Sequence, residues 1–202
     1  MLPVPSLLLT LNQKYVGNPE VLLQGLKKKN LDAYIAGGYI RDAILNRSPK
    51  DLDIFIVNSD NYTKEDLEQI YTAEHSPSSG CRFLPNYLDS HLRDDVFCVY
   101  KDDVNCIDYI IMNTTTIEEV IFNFDASICQ CYAKLEDGKL NYYVSGRFKH
   151  YQQTGIIEVY TDVPSTEDHI ERLKSKFPKA ILQKTLARDM NKEVFKLPIT
   201  HP

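Results

Sequence analysis

A pair of glycines between two apolar segments, followed by two closely spaced aspartates, constrains the fold of this chain most. The segment Ala33–Ala36 is short and apolar and ends at Gly37 and Gly38, which predicts a strand that enters a tight turn. Apolar residues recur at helical spacing over residues 39–45, and residues 51–57 begin with the alternation of a strand. The sequence therefore predicts a strand, a glycine turn, a short helix and a second strand in close succession.

The glycine turn and the aspartates each indicate a kind of ligand. Glycines let the backbone approach a ligand closely, and the start of the following helix offers N–H groups to phosphate. Asp51 and Asp53 flank Leu52, so both carboxylates are predicted on one face of the strand. Two carboxylates at such a short distance repel each other unless a cation lies between them. Mg²⁺ is such a cation, and it binds through one or two carboxylates plus substrate phosphates. Each feature alone is common on protein surfaces; together they predict a site for Mg²⁺ and a phosphorylated ligand.

The rest of the chain predicts an α+β fold, with a mixed or mostly antiparallel sheet, helices packed on one side and a short C-terminal helical tail. Strand patterns over residues 96–100 and 104–112 predict one hairpin, and Asp137-Gly138 is a strong turn signal for another. Helical patterns cover residues 63–71, 116–122, 166–176 and 179–190. Residues 75–94 have no clean period.

Composition and charge exclude several classes of protein. The 202 residues are 43% hydrophobic and 25% charged, as in an ordinary globular protein. No apolar stretch reaches the roughly 18 residues of a membrane span, and no secretory signal pattern is present, so we expect no membrane partner and a cytoplasmic location. Five cysteines without a C-x-x-C pair predict neither a disulfide framework nor a zinc site. The net charge is −5, yet residues 169–196 carry eight Lys/Arg and three Asp/Glu, a segment that could contact RNA or only solvate helix faces.

The glycines and aspartates form part of one longer motif, which is Gly37-Gly38-Tyr39-Ile40-Arg41-Asp42 followed by Asp51-Leu52-Asp53. This motif resembles the signature of the polymerase-β-like nucleotidyltransferase superfamily, and within it the head domain of CCA-adding enzymes and bacterial poly(A) polymerases. That branch has G-G-x-V-R-D and then D-x-D on a strand, and the match is continuous over the 17 residues 37–53. The resemblance implies a nucleotidyltransferase catalytic domain over residues 1–160, followed by a C-terminal helical segment over residues 161–202.

The resemblance also implies an activity, which is the Mg²⁺-dependent transfer of a nucleoside monophosphate from an NTP to an acceptor hydroxyl with release of pyrophosphate. Asp51 and Asp53 would hold two Mg²⁺ ions, and Gly37 and Gly38 would contact the triphosphate. Asp108 is the candidate third catalytic and metal-binding carboxylate, because an aspartate in a strongly β-forming segment is costly unless it is paired or metal-bound. The alternative for Asp108 is a strand-edge aspartate that faces water.

Arg41 and Asp42 have two interpretations. Arg41 could reach the phosphates of a bound nucleotide, or the two residues could form an ion pair that holds their helix to the sheet. We favour the ion pair for Asp42 and leave both roles open for Arg41.

Two later segments match the motifs of this branch in part. Phe124-Asp125 is similar to the start of the R-D-F-T-I-N segment, which makes Asp125 a nucleotide-binding candidate while Phe124 replaces the arginine. Residues 167–168 are similar to the E-D-x-x-R element, but Glu171 stands at the arginine position and Arg172 is one residue late, about 100° away around a helix. These departures motivate an alternative function, a catalytically reduced nucleotide-binding or regulatory module. The leading prediction stays an NTP-dependent enzyme whose acceptor could be an RNA 3′ end, a protein or a small molecule.

Overall fold

A computed structural model describes residues 18–28, 30–58, 81–84, 95–102, 106–160, 167–185 and 192–198. Within them the helices are α1 (Pro19–Lys27), α2 (Gly38–Ile44), α3 (Ile117–Phe122), α4 (Gly146–Thr154) and α5 (Glu167–Lys176), with a 3₁₀ helix at Ser127–Cys129. The strands are β1 (Ala33–Ala36), β2 (Leu52–Ile56), β3 (Cys81–Leu84), β4 (Val96–Asp102), β5 (Ile107–Met112), β6 (Cys131–Glu136), β7 (Lys139–Ser145), β8 (Ile156–Tyr160), β9 (Ile181–Thr185) and β10 (Val194–Lys196).

Eight of these strands form one mixed sheet in the order β10-β7-β6-β1-β2-β5-β4-β3. β2 and β5 run parallel, and the other neighbouring pairs run antiparallel. Strands β8 and β9 form a separate parallel pair. This architecture confirms the predicted α+β fold with its mostly antiparallel mixed sheet.

Local sequence signals explain several elements. The β6–β7 hairpin turns at Asp137 and Gly138, whose φ angles of 50° and 77° suit the two central positions of a type I′ turn. Helix α3 begins with a capping box, in which the Thr116 hydroxyl accepts from the N–H of Glu119 and the Glu119 carboxylate accepts from the N–H of Thr116. Strands β4 and β5 pair as the predicted hairpin, but β4 continues through Lys101 and Asp102, two residues beyond the predicted strand 96–100.

The core lies against the middle of the large sheet. Helix α1 buries Leu22, Leu23 and Leu26, and the central strands bury Ile35 and Ile54 completely. Packing on β1 and β2 fixes the positions of the glycine turn at the end of β1 and of the aspartates at the start of β2. Across the described residues, no helix is long and apolar enough to cross a membrane.

The structure corrects three local predictions. The predicted helix over residues 179–190 is wrong at residues 181–185, which form strand β9, with Ile181 62% exposed and the strand paired to β8. Residues 186–190 lie outside the described residues. The predicted strand over residues 127–134 begins as a 3₁₀ helix and becomes extended only from Cys131. Strand β3 lies within residues 75–94, where no element was predicted, and the predicted helix over residues 63–71 lies outside the described residues.

Helix α4 and strand β8 were not predicted. Helix α4 carries few apolar residues and buries only Phe148 among its side chains, so it has little helical periodicity to detect. Its ends are nevertheless well defined, because Ser145 caps its N-terminus and Gly155 adopts a left-handed conformation at its C-terminus.

Candidate functional site

A cavity of 1020 Å³ lies where the end of β1, the start of β2 and helix α5 come together. Acidic, basic and aromatic side chains line different parts of it. The acidic residues include Asp51 and Asp53, the basic ones are Arg41, Arg47, Lys50, Arg172 and Lys176, and two aromatic ones are Phe55 and Phe124. Carboxylates suit a divalent cation and guanidinium groups suit phosphate, so the cavity can accept a phosphorylated ligand together with a cation.

The glycine turn forms part of the cavity wall. Gly37 has a φ of 72° and a ψ of −131°, a backbone conformation that glycine adopts without steric cost. A Cβ atom on Gly37 would lie 3.6 Å from the Phe124 ring, and one on Gly38 would lie 3.6 Å from the guanidinium group of Arg41. The positive φ belongs to the first glycine only, so the conformational requirement of the turn rests on Gly37.

Asp51 and Asp53 line the same cavity, while Leu52 between them is buried. Burial raises the pKa of Asp53 to about 7, with the charges of Asp108 and Asp51 adding to the effect and Lys101 opposing it. The Asp53 carboxylate is therefore held in an environment that disfavours its negative charge. A divalent cation would relieve this repulsion, so the oxygen ligands present suit Mg²⁺ chemically. Their role as metal ligands stays a prediction.

Asp108 lies beside Asp53 but makes a different contact. The two residues are register partners on the parallel strands β2 and β5, and Lys101 is the register partner of Asp108 on β4. The ammonium group of Lys101 donates a hydrogen bond to the Asp108 carboxylate. The described residues that line the cavity include Asp51 and Asp53 but not Asp108. Across the described part of the chain, no group of three or more His, Cys, Asp or Glu is placed to hold a metal ion.

Arg41 and Asp42 form the predicted ion pair, but it does not link the helix to the sheet through Asp42. Arg41 Nε lies 2.9 Å from Asp42 Oδ1, and the second carboxylate oxygen accepts from Lys176 Nζ at 2.5 Å. Burial opposes the charge of Asp42, yet the hydrogen bonds from Arg41 and Lys176 keep its pKa below the ordinary value. Asp42 therefore joins α2 to α5, and Arg41 joins α2 to the 3₁₀ helix through a 3.4 Å contact with Cys129 Sγ.

Asp125 forms a pair with His169 that the sequence did not predict. The Asp125 side chain is 2% exposed, and its Oδ2 lies 2.5 Å from His169 Nδ1. Both residues line the cavity. Asp125 thus anchors helix α5 at the cavity, while its role in nucleotide binding stays a prediction.

Helix α5 presents one face to the cavity. His169, Arg172, Leu173 and Lys176 all line it, at the spacing of residues that share a helix face. Glu171 faces away, with 67% of its side chain exposed and a 2.6 Å ion pair to Lys174. Arg172, one residue late by comparison with the motif, is therefore the arginine of α5 that lines the cavity.

Comparison with known families adds an identification. Residues 11–168 match the family whose description is "Gabija anti-defense 2 family protein". The chain belongs to the Gabija anti-defense 2 family. No curated protein matches it.

Solved structures that resemble this Gabija anti-defense 2 family member include CCA-adding enzymes. A Thermotoga maritima CCA-adding enzyme complexed with tRNA-CCA matches over 89% of this chain and 42% of that one, with a TM-score of 0.50 and 16% identity. A Bacillus stearothermophilus CCA-adding enzyme in complex with CTP matches over 79% of this chain and 34% of that one, with a TM-score of 0.45 and 16% identity. The chain spans less than half the length of either enzyme. The Thermotoga match shows the nucleotidyltransferase-type fold that the motif predicted.

Proposed function

We propose that this chain binds a nucleoside triphosphate with a divalent cation in the cavity and transfers its nucleoside monophosphate to an acceptor hydroxyl. The proposal rests on the charged side chains that line the cavity. Asp51 and Asp53 lie on one part of its wall, and the basic side chains of Arg172 and Lys176 on α5 line it together with the glycine turn. A nucleotide needs this combination, because its phosphates require cations and its metal ion requires carboxylate oxygens.

Each part of the cavity has a role in this proposal. Asp51 and Asp53 would hold Mg²⁺, which when bound activates the attacking hydroxyl and neutralises the leaving pyrophosphate. Gly37 and Gly38 would allow the triphosphate to approach the backbone closely, and Asp125 would fix α5 against the nucleotide. Arg41 is committed to Asp42 and Cys129, so we assign it to holding the wall of the cavity rather than to the phosphates.

RNA is the acceptor that we favour. Arg172 and Lys176 belong to the basic C-terminal segment and line the cavity, so part of that positive charge lies beside the proposed nucleotide site. The matched Thermotoga enzyme is complexed with tRNA, which supports an RNA acceptor by analogy of fold alone.

A second candidate function is nucleotide binding without transfer. Phe124 replaces an arginine of the motif and packs its ring 5.7 Å from that of Phe55, so this part of the wall is apolar. Glu171 replaces a second arginine and faces solvent. The family description supports a physiological role in opposing the Gabija defence with either candidate function. Nucleotidyl transfer would modify a molecule that this defence needs, and nucleotide binding alone would withhold one.

Transfer and binding can be separated by experiment. We expect the purified chain with Mg²⁺ to move label from at least one of four α-³²P-labelled NTPs to RNA, and the Asp51→Asn and Asp53→Asn variants to lose transfer. Asp137→Asn is the matched control, because Asp137 is exposed at the β6–β7 turn and does not line the cavity. NTP binding by calorimetry without any transfer to RNA, protein or water would support the second function. Absence of NTP binding would refute both.

A further inference from the structure

Four charged residues lie side by side across the large sheet, next to the proposed nucleotide site, and the outermost is Arg82 of β3, the register partner of Lys101. Asp53 of β2 is the register partner of Asp108 on β5, and Asp108 is the register partner of Lys101 on β4. Directly opposed residues on neighbouring strands share a face, with Cβ atoms about 5 Å apart. The sheet therefore places a lysine in the same row as the two carboxylates.

The lysine is engaged with this row rather than extended into solvent. Its Nζ donates to Asp108 Oδ2, and the side chains of Lys101 and Asp108 are only 26% and 23% exposed. Lys101 also acts on Asp53, since its charge favours the ionised form of that carboxyl group. Backbone pairing on both sides of β5 fixes these positions, so the contact follows from the register of the sheet.

We propose that the site holds one divalent cation, on Asp51 and Asp53, and that Lys101 takes the place of a second cation at Asp108. This inference rests on the proposed function and changes the number of metal ions that the motif implied. When all three carboxylates are ionised, Asp51, Asp53, Asp108 and Lys101 together carry a charge of −2, which one divalent cation neutralises. A second metal ion would have to displace the ammonium group from the Asp108 carboxylate, because two cations on one small site repel each other. Lys101 supplies as a fixed group the second positive charge that two-metal enzymes take from an ion.

Counting bound Mn²⁺ tests the inference directly. We expect electron paramagnetic resonance of free Mn²⁺ to give one bound ion per wild-type chain and none for Asp51→Asn combined with Asp53→Asn. Lys101→Met keeps the length of the side chain without its charge, and we expect it to bind two ions. Lys134→Met removes a lysine from a comparable strand ion pair on β6, and we expect it to keep one.

Asp108→Asn completes the design. In the wild-type background it should leave the count at one, and in the Lys101→Met background it should lower the count from two to one. If Lys101→Met does not fold by circular dichroism, Lys101→Gln replaces it, and Asp108→Asn alone still tests the assignment. Two ions on the wild type, none on the wild type, or one on a folded Lys101→Met variant would each overturn the inference, as would loss of the ion from Asp108→Asn.

The proposed function has a separate readout in the same samples. Calorimetry with a non-hydrolysable ATP analogue and Mg²⁺ reports whether a nucleotide binds at all. Nucleotide binding together with two ions on the wild type would refute the single-cation inference and leave the proposed function standing. Absence of nucleotide binding by all four non-hydrolysable NTP analogues would refute the proposed function, whatever the ion count.

Discussion

Replacing Asp53 by asparagine should stabilise the fold at alkaline pH. Asp53 is half-buried on β2, and burial raises its pKa to about 7, with the neighbouring charges of Asp108 and Asp51 contributing further. Keeping this carboxylate ionised in the folded protein therefore costs free energy. Asp53→Asn removes the charge and keeps the shape of the side chain, so it removes that cost.

The sign and size of the effect follow from the two pKa values. An aspartate carboxyl group has an ordinary pKa of 3.8, which we take for the unfolded chain, and the pKa of Asp53 is about 7 in the folded protein. The folded state thus binds more protons than the unfolded state between these values, and the free energy of unfolding falls as the pH rises through this window. At about 1.4 kcal/mol per pKa unit the full cost is about 4 kcal/mol above pH 7. Solvent screening of a half-buried group reduces the expected gain for Asp53→Asn to about 2 kcal/mol at pH 8.

Urea unfolding in EDTA measures this difference. The chain has 13 tyrosines and no tryptophan, so circular dichroism at 222 nm is the suitable signal. We expect Asp53→Asn to exceed the wild type by about 2 kcal/mol at pH 8 and by less than about 0.5 kcal/mol at pH 4. Asp137→Asn, at an exposed turn position with a φ of 50° that asparagine tolerates, is the control and should show no such pH dependence. Equal differences at the two pH values, or a less stable variant at pH 8, would refute the reasoning.

Three further predictions concern the walls of the cavity. Gly37→Ala should cost about 1–3 kcal/mol in urea unfolding because of its positive φ, whereas Gly38→Ala should cost less than about 1 kcal/mol; equal costs would contradict the assignment of strain to the first glycine. Asp42→Asn should lower the free energy of unfolding by about 3 kcal/mol, because it leaves a buried guanidinium group without its carboxylate, and a loss within measurement error would contradict a structural role for that pair. Arg172→Gln should weaken NTP binding in calorimetry about tenfold, or about 1.4 kcal/mol, while Glu171→Gln should leave it unchanged. Weaker binding by Glu171→Gln and unchanged binding by Arg172→Gln would place residue 171, rather than Arg172, at the ligand.

The parts of the fold that the sequence predicted well depend on local signals. The glycine turn needs a positive φ, the Asp137-Gly138 hairpin needs two, and both requirements can be recognised from neighbouring residues. The alternation around Leu52 likewise places Asp51 and Asp53 on one face without knowledge of the rest of the chain. What these signals cannot supply is the order of strands in the sheet. The contact between Lys101 and Asp108 forms because β4 continues past residue 100, where the predicted strand ended. The row with Asp53 exists only because β5 also pairs with β2.

Helix α5 shows a second limit of motif comparison, because the apolar residues of the helix determine which of its side chains face the cavity. Comparison with the E-D-x-x-R element drew attention to Glu171 and away from Arg172. The orientation of a helix is set by its own apolar residues, and in α5 Leu173 is 2% exposed and packs in the core. At about 100° per residue, position 171 lies about 160° from Leu173, on the side of the helix away from His169 and Lys176. Arg172 lies about 100° from Leu173, on the side of His169 and Lys176. The position of the buried leucine therefore predicts which of residues 171 and 172 can reach the cavity, and Arg172 lines it. Where a motif and the apolar face of a helix disagree, the apolar face determines the orientation, because turning Leu173 into water to restore the motif would cost about 2 kcal/mol or more.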